Sequence, residues 1–277
     1  MRIKSLFVNS ARMDIIQYFE TLPWVFGAAI TVAFFILFSI VGVIVVRRLV
    51  NFEYLKAHHD VAGYVFNNLG VLYAVLLAFT VVNVQQRFDK IKEISEIEAS
   101  YLVDLYRDAE VFPPKYAQDI RDSIKKYAQS VIEDEWDLMP LGIFSKTTIQ
   151  SLKDVWAAYY RVELETKKQE IWYAESINKL NNLTNTRLAR LVGSRESLGI
   201  EMWILLILGG LTLIIFFWFF GLESLIPHLL MAAILAAAIA FLLFLIYSLD
   251  TAFSGTLKVT PESMERVLQG FNYPITT

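Results

Sequence analysis

The chain has 277 residues, of which 56% are hydrophobic and 19% are charged, and its formal net charge is −3. A soluble domain usually carries about 25% charged residues, so this composition favours a membrane protein. The small net charge gives no electrostatic basis for binding nucleic acid. Cysteine is absent, which excludes disulfide frameworks, thiolate metal sites and cysteine nucleophiles.

Four apolar segments are each long enough to cross about 30 Å of hydrocarbon as a helix. The predicted membrane spans cover residues 22–46, 61–84, 200–220 and 225–249. A short amphipathic helix, residues 1–21, is predicted before the first span. The second span is expected to continue as a helix to about residue 112, because Pro113 and Pro114 follow and would end it.

The segment between the second and third spans, residues 85–198, is polar, and its apolar residues recur at three- and four-residue spacing. This spacing is typical of helices, and no strand pattern is present. A tail with a short helix, residues 250–277, follows the fourth span. The sequence therefore predicts an all-α membrane protein, with four transmembrane helices and a helical cytosolic domain inserted between helices 2 and 3.

Lysine and arginine residues near the ends of the spans predict the orientation. Most of them lie in the N-terminal residues, at both ends of the central segment and in the C-terminal tail. The loop after the first span holds only Arg47, Arg48 and Lys56, and the loop between the third and fourth spans holds none. We therefore expect an integral protein of the bacterial inner (plasma) membrane whose N- and C-termini are cytoplasmic.

The second span carries amide side chains near both of its ends. At 100° per residue, they share one helix face with apolar residues of the middle of the span. This stripe comprises Asn68, Leu72, Val75, Phe79, Val82, Asn83 and Gln86. A face that is polar at both ends and apolar between them suits an oligomeric pore with a dewetting constriction. Asparagine in a membrane helix also commonly bonds a neighbouring helix, and this role is favoured for Asn67, which lies about 100° off the stripe.

The other spans have features of helices that pack against their neighbours and do not line a pore. The fourth span has Ala232, Ala236 and Ala240 at four-residue spacing, and the third has Gly209 and Gly210, all of which suit close helix packing. No span has a charge at its centre. This argues against a proton-coupled carrier, a class that usually needs an intramembrane carboxylate.

An acidic run in the central segment, EDEWD, offers weak candidates for a calcium site. Its carboxylates are Glu133, Asp134, Glu135 and Asp137. The run lacks the spacing of a calcium loop, so a solvated helix face is the favoured interpretation. We recognise no other metal or cofactor site and no catalytic motif, and therefore expect neither a cofactor nor enzyme activity.

Four motifs occur in order between His59 and Pro261: NNLGVLYAVLLAFTVV, YLVDLYRDAEVFPP, EDEW and LDTAFSG. Together they resemble the bestrophin-like family of prokaryotic and plant membrane proteins. The last motif of that family usually reads Leu-Asp-x-Pro-Phe-x-Gly. In this chain Ala252 stands in place of the proline, which changes the expected turn.

The family is distantly similar to bestrophins, which are pentameric ion channels with four membrane helices per subunit, cytosolic termini and a pore lined by the second helix. The resemblance implies that architecture here. The role of the apolar neck would fall to Leu72, Val75, Phe79 and Val82. The resemblance does not indicate which ion passes, since animal bestrophins conduct anions and bacterial ones can conduct cations.

The sequence thus predicts a homo-oligomeric, pentameric ion channel. Its partners would be further copies of the chain, the lipid bilayer and small inorganic ions. The alternative is a non-conducting membrane scaffold or sensor whose helical cytosolic domain binds a partner. In that alternative, the amides of the second span only hold helices together.

Overall fold

The computed structural model describes residues 24–51, 53, 59–255 and 257–271. This part of the chain contains no strand, so the predicted all-α fold is confirmed for it. In chain order the helices are α1 (Trp24–Leu49), α2 (His59–Asp108), α3 (Pro114–Ser130), α4 (Lys146–Tyr160), α5 (Lys167–Gly193), α6 (Ile200–Trp218), α7 (Leu225–Asp250) and α8 (Glu262–Gly270). The helix predicted at residues 1–21 lies outside the described residues.

Among the described residues, four helical segments are long and apolar enough to cross a membrane, which confirms the predicted number of spans. They are Trp24–Leu49, Val61–Val111, Ile200–Trp218 and Leu225–Asp250. The second contains all but the first two residues of α2, which is continuous for 50 residues. It ends in a short 3-10 turn, Ala109–Val111, after which Phe112 is extended, because a residue before proline disfavours the helical conformation.

The chain forms two compact units. Of the described residues, the apolar unit contains those up to Arg87 and those from Ser197 to Leu257. The polar unit contains Phe88–Glu196 and the described residues from Lys258 to Phe271. The cytosolic location predicted for the central segment stays a prediction.

Small residues let α1 and α7 pack closely in the apolar unit. Ala232, Ala236 and Ala240 have no exposed surface, as expected from their four-residue spacing. Ser39 of α1 donates a hydrogen bond to the carbonyl of Ala232 at 3.2 Å. Such an approach to a backbone carbonyl is possible because no large side chain separates the two helices.

Tyr73 fastens α2 to α6 in the same unit. Its hydroxyl donates to the carbonyl of Leu206 at 2.8 Å. A Cβ atom at Gly209 would lie 2.7 Å from the ring of Tyr73, and one at Gly210 would lie 2.8 Å from its hydroxyl oxygen. The glycine pair therefore provides the space that this tyrosine occupies.

The polar unit has its own core, formed by α3, α4, α5 and the C-terminal part of α2. Its side chains without exposed surface include Leu102, Leu105, Ile120, Ile124, Val155, Leu180 and Leu183. Hydroxyl caps fix where two helices begin: Ser145 accepts from the amide of Thr148 at 3.1 Å, and Thr166 from that of Gln169 at 3.2 Å.

Between α3 and α4 the polar unit contains a π-helical turn, Val131–Glu135, and a 3-10 segment, Trp136–Leu141. The segment ends at Gly142, whose φ of 64° is a left-handed conformation that glycine adopts without strain. The chain then enters α4 through the cap at Ser145.

We expect Gly42→Ala to destabilise the apolar unit by about 1–3 kcal/mol, the usual range for overpacking. A Cβ at Gly42 would fall inside the indole ring of Trp218. That ring also packs on Phe38, with ring centroids 5.1 Å apart, so it has little room to retreat. The measurement is thermal unfolding of the full-length protein in detergent.

Gly70→Ala is the matched control, because a Cβ at Gly70 meets nothing within 4 Å and alanine favours a helix over glycine. We expect its Tm to equal or exceed that of the wild type. Equal Tm values for the two variants would contradict the close packing at Gly42.

Candidate functional site

Within the apolar unit, α2 is buried along one line. Tyr73, Leu77, Thr80 and Val84 each expose at most 6% of their surface. Their alternating spacing of four and three residues is that of one helix face packed against its neighbours. The hydroxyl of Thr80 is satisfied by the carbonyl of Leu76, at 2.8 Å on the same helix.

The seven residues predicted to line a pore all lie off this buried line. Asn68, Leu72, Val75, Phe79, Val82, Asn83 and Gln86 are exposed in the protomer. Phe79 exposes 74% of its surface and Leu72 exposes 69%. Exposed apolar area of this kind indicates contact with lipid or with another chain. The exposed surface of α2 extends around the helix beyond the stripe and includes Val71. One part of it can therefore contact lipid and another part a second chain.

Asn67 and Asn68 do not bond a neighbouring helix within the described part of the protomer. In the described part of the chain, the hydrogen bond of Asn68 is to its own helix: Nδ2 donates to the carbonyl of Tyr64 at 3.0 Å. Asn67 is also exposed and makes no hydrogen bond to another described helix. The predicted helix-joining role of Asn67 is therefore not observed within one subunit.

A buried carboxylate closes the apolar unit at the end of α7. Asp250 exposes 6% of its surface and accepts hydrogen bonds from three donors. These are the guanidinium of Arg87, the amide of Leu198 at 2.7 Å and the indole nitrogen of Trp203 at 3.2 Å. Asp250 thus joins the end of α7 to Arg87 of α2 and to the beginning of α6, which accounts for the aspartate of the LDTAFSG motif.

The residues that follow Asp250 complete the turn. Ala252 and Phe253 are buried, so the alanine that replaces the usual proline still packs inward. Gly255 has a φ of 76°, a conformation that L side chains rarely adopt. The backbone conformation at the end of the motif therefore favours glycine.

Four buried charges form a cluster in the polar unit. Arg190 donates from Nε to Glu98 at 2.6 Å and from Nη2 to Glu135 at 3.0 Å. Arg187 forms a two-point contact with Glu135, whose second bond, from Nε, is 3.2 Å long. Tyr127 donates its hydroxyl proton to Glu98 at 2.7 Å. The cluster links α2, α3, the π-helical turn and α5.

The surroundings shift the pKa of two members of the cluster, Arg190 and Tyr127. Burial by itself would lower the pKa of Arg190, but the carboxylates of Glu98 and Glu135 outweigh it and raise that pKa. Burial, followed by the charge of Glu98, raises the pKa of Tyr127 well above its ordinary value. Arg190 therefore stays charged and Tyr127 stays a neutral phenol.

The sequence matches the Bestrophin-like domain over residues 33–264. The chain belongs to the Bestrophin-like family. This confirms the resemblance seen in the four motifs. None of the curated proteins matches the chain significantly in sequence.

Solved structures of a bacterial bestrophin homologue from Klebsiella pneumoniae share the fold of this bestrophin-like chain. Two single-residue variants give TM-scores of 0.66 and 0.67 at 14% and 13% identity, over 88% of this chain and 99% and 98% of theirs. The structure phased with zinc gives 0.62 at 15% identity, over 87% of this chain and 99% of that one. At these identities the likeness establishes the fold and nothing finer.

The acidic run of this bestrophin-like protein does not form a shared carboxylate site. Glu133, Asp134 and Asp137 are exposed, whereas Glu135 is fully buried and bonded to two arginines. Among the described residues, no group of three or more His, Cys, Asp or Glu side chains is placed to hold a metal ion. The expectation of a solvated face is wrong for Glu135, because the π-helical turn directs its side chain inward.

The buried cluster was not predicted from the sequence, although one signal for it is present. Glu98 lies in the apolar line of α2, between Ile91 and Leu102, both of which are buried. A charge at a core position indicates a buried partner of opposite sign. That partner, Arg190, is 92 residues away in the sequence. Which residue becomes the partner depends on how the helices pack.

We expect Glu135→Gln to lower the free energy of unfolding by about 3–5 kcal/mol, because it leaves two buried guanidiniums with one carboxylate fewer. Asp134→Asn is the matched control: Asp134 is the preceding residue and is exposed, so its removal should change stability by no more than about 0.5 kcal/mol. Chemical denaturation in detergent compares the two. Similar losses in both variants would contradict a structural role specific to Glu135.

Proposed function

We propose that this bestrophin-like protein is a homo-oligomeric, pentameric ion channel of the bacterial inner membrane, with a pore lined by α2. The observation that carries the proposal is the exposure of all seven stripe residues while the Tyr73–Val84 line of the same helix is buried. A face that packs on no described residue of its own chain is what a shared pore axis requires. Membership of the Bestrophin-like family supports the same reading.

The stripe has the chemistry of a conduction path. Asn68 and Gln86 stand at its ends, roughly 27 Å apart at 1.5 Å per residue, which is close to the hydrocarbon thickness. Their amides can replace part of the water around an ion. Between them, rings of Val75 and Phe79 would form an apolar neck that closes by dewetting.

The own-helix hydrogen bond of Asn68 favours this path over the scaffold alternative. An amide that served only to join helices would be expected to bond a neighbouring helix. Asn68 instead bonds Tyr64 one turn earlier and projects from the protomer. The proposal places both termini and the polar unit in the cytoplasm and assigns the protein no catalytic role.

Ion flux in proteoliposomes containing the purified full-length protein tests the proposal. Chloride, sodium and potassium are measured separately, because the stripe carries no charge that would fix the sign of the permeant ion. Absence of flux of any of these ions under every gating condition would favour the scaffold. Single-particle images in nanodiscs supply the second test: a monomer or dimer, or a ring with Asn68 and Phe79 away from its axis, would refute the pore.

We expect Phe79→Ala to raise the ion flux about tenfold, because a lower apolar barrier of about 1.4 kcal/mol has that effect on a rate. Phe34→Ala is the matched control. Phe34 is also largely exposed but lies on α1, which the proposal does not place at the pore. Flux that rises equally in both variants would point to a general loosening of the protein and not to a neck at Phe79.

We expect Asn68→Asp to shift the reversal potential toward that of the permeant cation, because a ring of carboxylates at the pore mouth attracts cations and repels anions. Asn67→Asp is the control at the adjacent position, about 100° off the stripe. The measurement is the reversal potential in planar bilayers under a salt gradient. A larger shift for Asn67→Asp than for Asn68→Asp would place the wrong face on the pore.

A further inference from the structure

A cavity of about 200 Å³ lies within the polar unit, between α2, the extended residues 258–260 and the beginning of α8. It takes no part in the conduction path proposed above. Its inner wall includes Ser95 and Val259, both of which are buried. Its rim carries five charged side chains: Lys92, Glu96, Lys258, Glu262 and Arg266.

Contacts that involve no charged group shape this cavity. The indole nitrogen of Trp136 donates to the carbonyl of Val259 at 3.1 Å, which fixes the extended segment against the core. The hydroxyl of Ser263 donates to the carbonyl of Ser95 at 3.4 Å, which fixes α8 against α2. The cavity therefore persists whatever its rim binds.

The charges of the rim are not paired with one another. Lys92 and Glu96 stand four residues apart on α2, and so do Glu262 and Arg266 on α8, a spacing at which opposite charges commonly pair. Neither pair forms an ion pair, and Lys258 has no acidic partner in the described part of the chain either. Three cations and two carboxylates thus surround the opening with a net positive charge.

We infer that this cavity binds a phosphate monoester group. Lysine and arginine side chains donate strong charge-assisted hydrogen bonds to phosphate oxygens, and Ser95, Thr260 and Ser263 add hydroxyls to the lining. The first turn of α8 has no side-chain cap, so its amide groups remain available to an anion. Because the rim has a net positive charge, it attracts a dianion more strongly than a singly charged anion.

The phosphate has two chemically equivalent sources: a soluble phosphate compound or the headgroup of a phosphatidic acid lipid. Two binding measurements on the full-length protein distinguish them. The first titrates inorganic phosphate into phosphatidylcholine nanodiscs and reads binding by thermophoresis. The second counts phosphatidic acid molecules retained in native mass spectra, with phosphatidylglycerol, a phosphate diester, as the reference lipid.

We expect Lys258→Gln and Arg266→Gln each to weaken binding about tenfold in the arm that shows it, the usual worth of one charge-assisted hydrogen bond. Glu262→Gln should strengthen binding, because it removes a repulsive charge from the same rim. Lys168→Gln is the matched control: Lys168 is exposed in the polar unit but does not line the cavity, so its binding should equal the wild type.

Binding in the first arm alone identifies a soluble source, and retention in the second arm alone identifies the lipid. The inference is overturned if neither ligand binds, or if the cavity variants and Lys168→Gln behave alike. It is equally overturned if Glu262→Gln weakens binding. All readouts are of binding, so the result is independent of whether the protein conducts ions.

Discussion

A single line of buried side chains along α2 constrains what the other faces of this helix can do. Tyr73, Leu77, Thr80 and Val84 begin the line, and Ile91, Ser95, Glu98, Leu102 and Leu105 continue it at the same alternation of three and four residues. Because this spacing averages 3.5 residues, the line drifts around the helix by only about 20° per seven residues. In the apolar unit the buried side chains of α2 all belong to this line, and the stripe has no packing partner among the described residues of its own chain.

The polar half of that line contains a charge, and the packing around Glu98 follows from it. A carboxylate without exposed surface is costly unless opposite charge and hydrogen bonds surround it. Arg190 supplies both. Its Nη2 also donates to Glu135, and Glu135 in turn accepts from Arg187. Replacing such a cluster with apolar packing is often neutral for stability, whereas removing one of its partners is costly.

The contrast between this cluster and the cavity at α8 is informative about function. Buried charges in the polar unit are paired, because an unpaired charge removed from water is energetically costly. The charges around the cavity are exposed to water and do not pair, even where helix spacing would permit it. Charges that stay unpaired around a formed cavity have the electrostatics of a binding surface. The stripe on α2 is likewise a surface with no packing partner among the described residues of its subunit.

Hydropathy and helix periodicity alone determined the four membrane spans, the all-helical class and the continuation of α2 beyond the second span. These features follow from the thickness of hydrocarbon and from 3.6 residues per turn, which act within a single segment. The same periodicity grouped Asn68 with Phe79 on one face, and the described structure leaves that face exposed. Only packing between distant segments decided that Glu135 points inward while Asp134 does not, that Arg190 pairs with Glu98, and that Asp250 binds Arg87. Those choices depend on where helices far apart in sequence meet, which no property of one helix specifies.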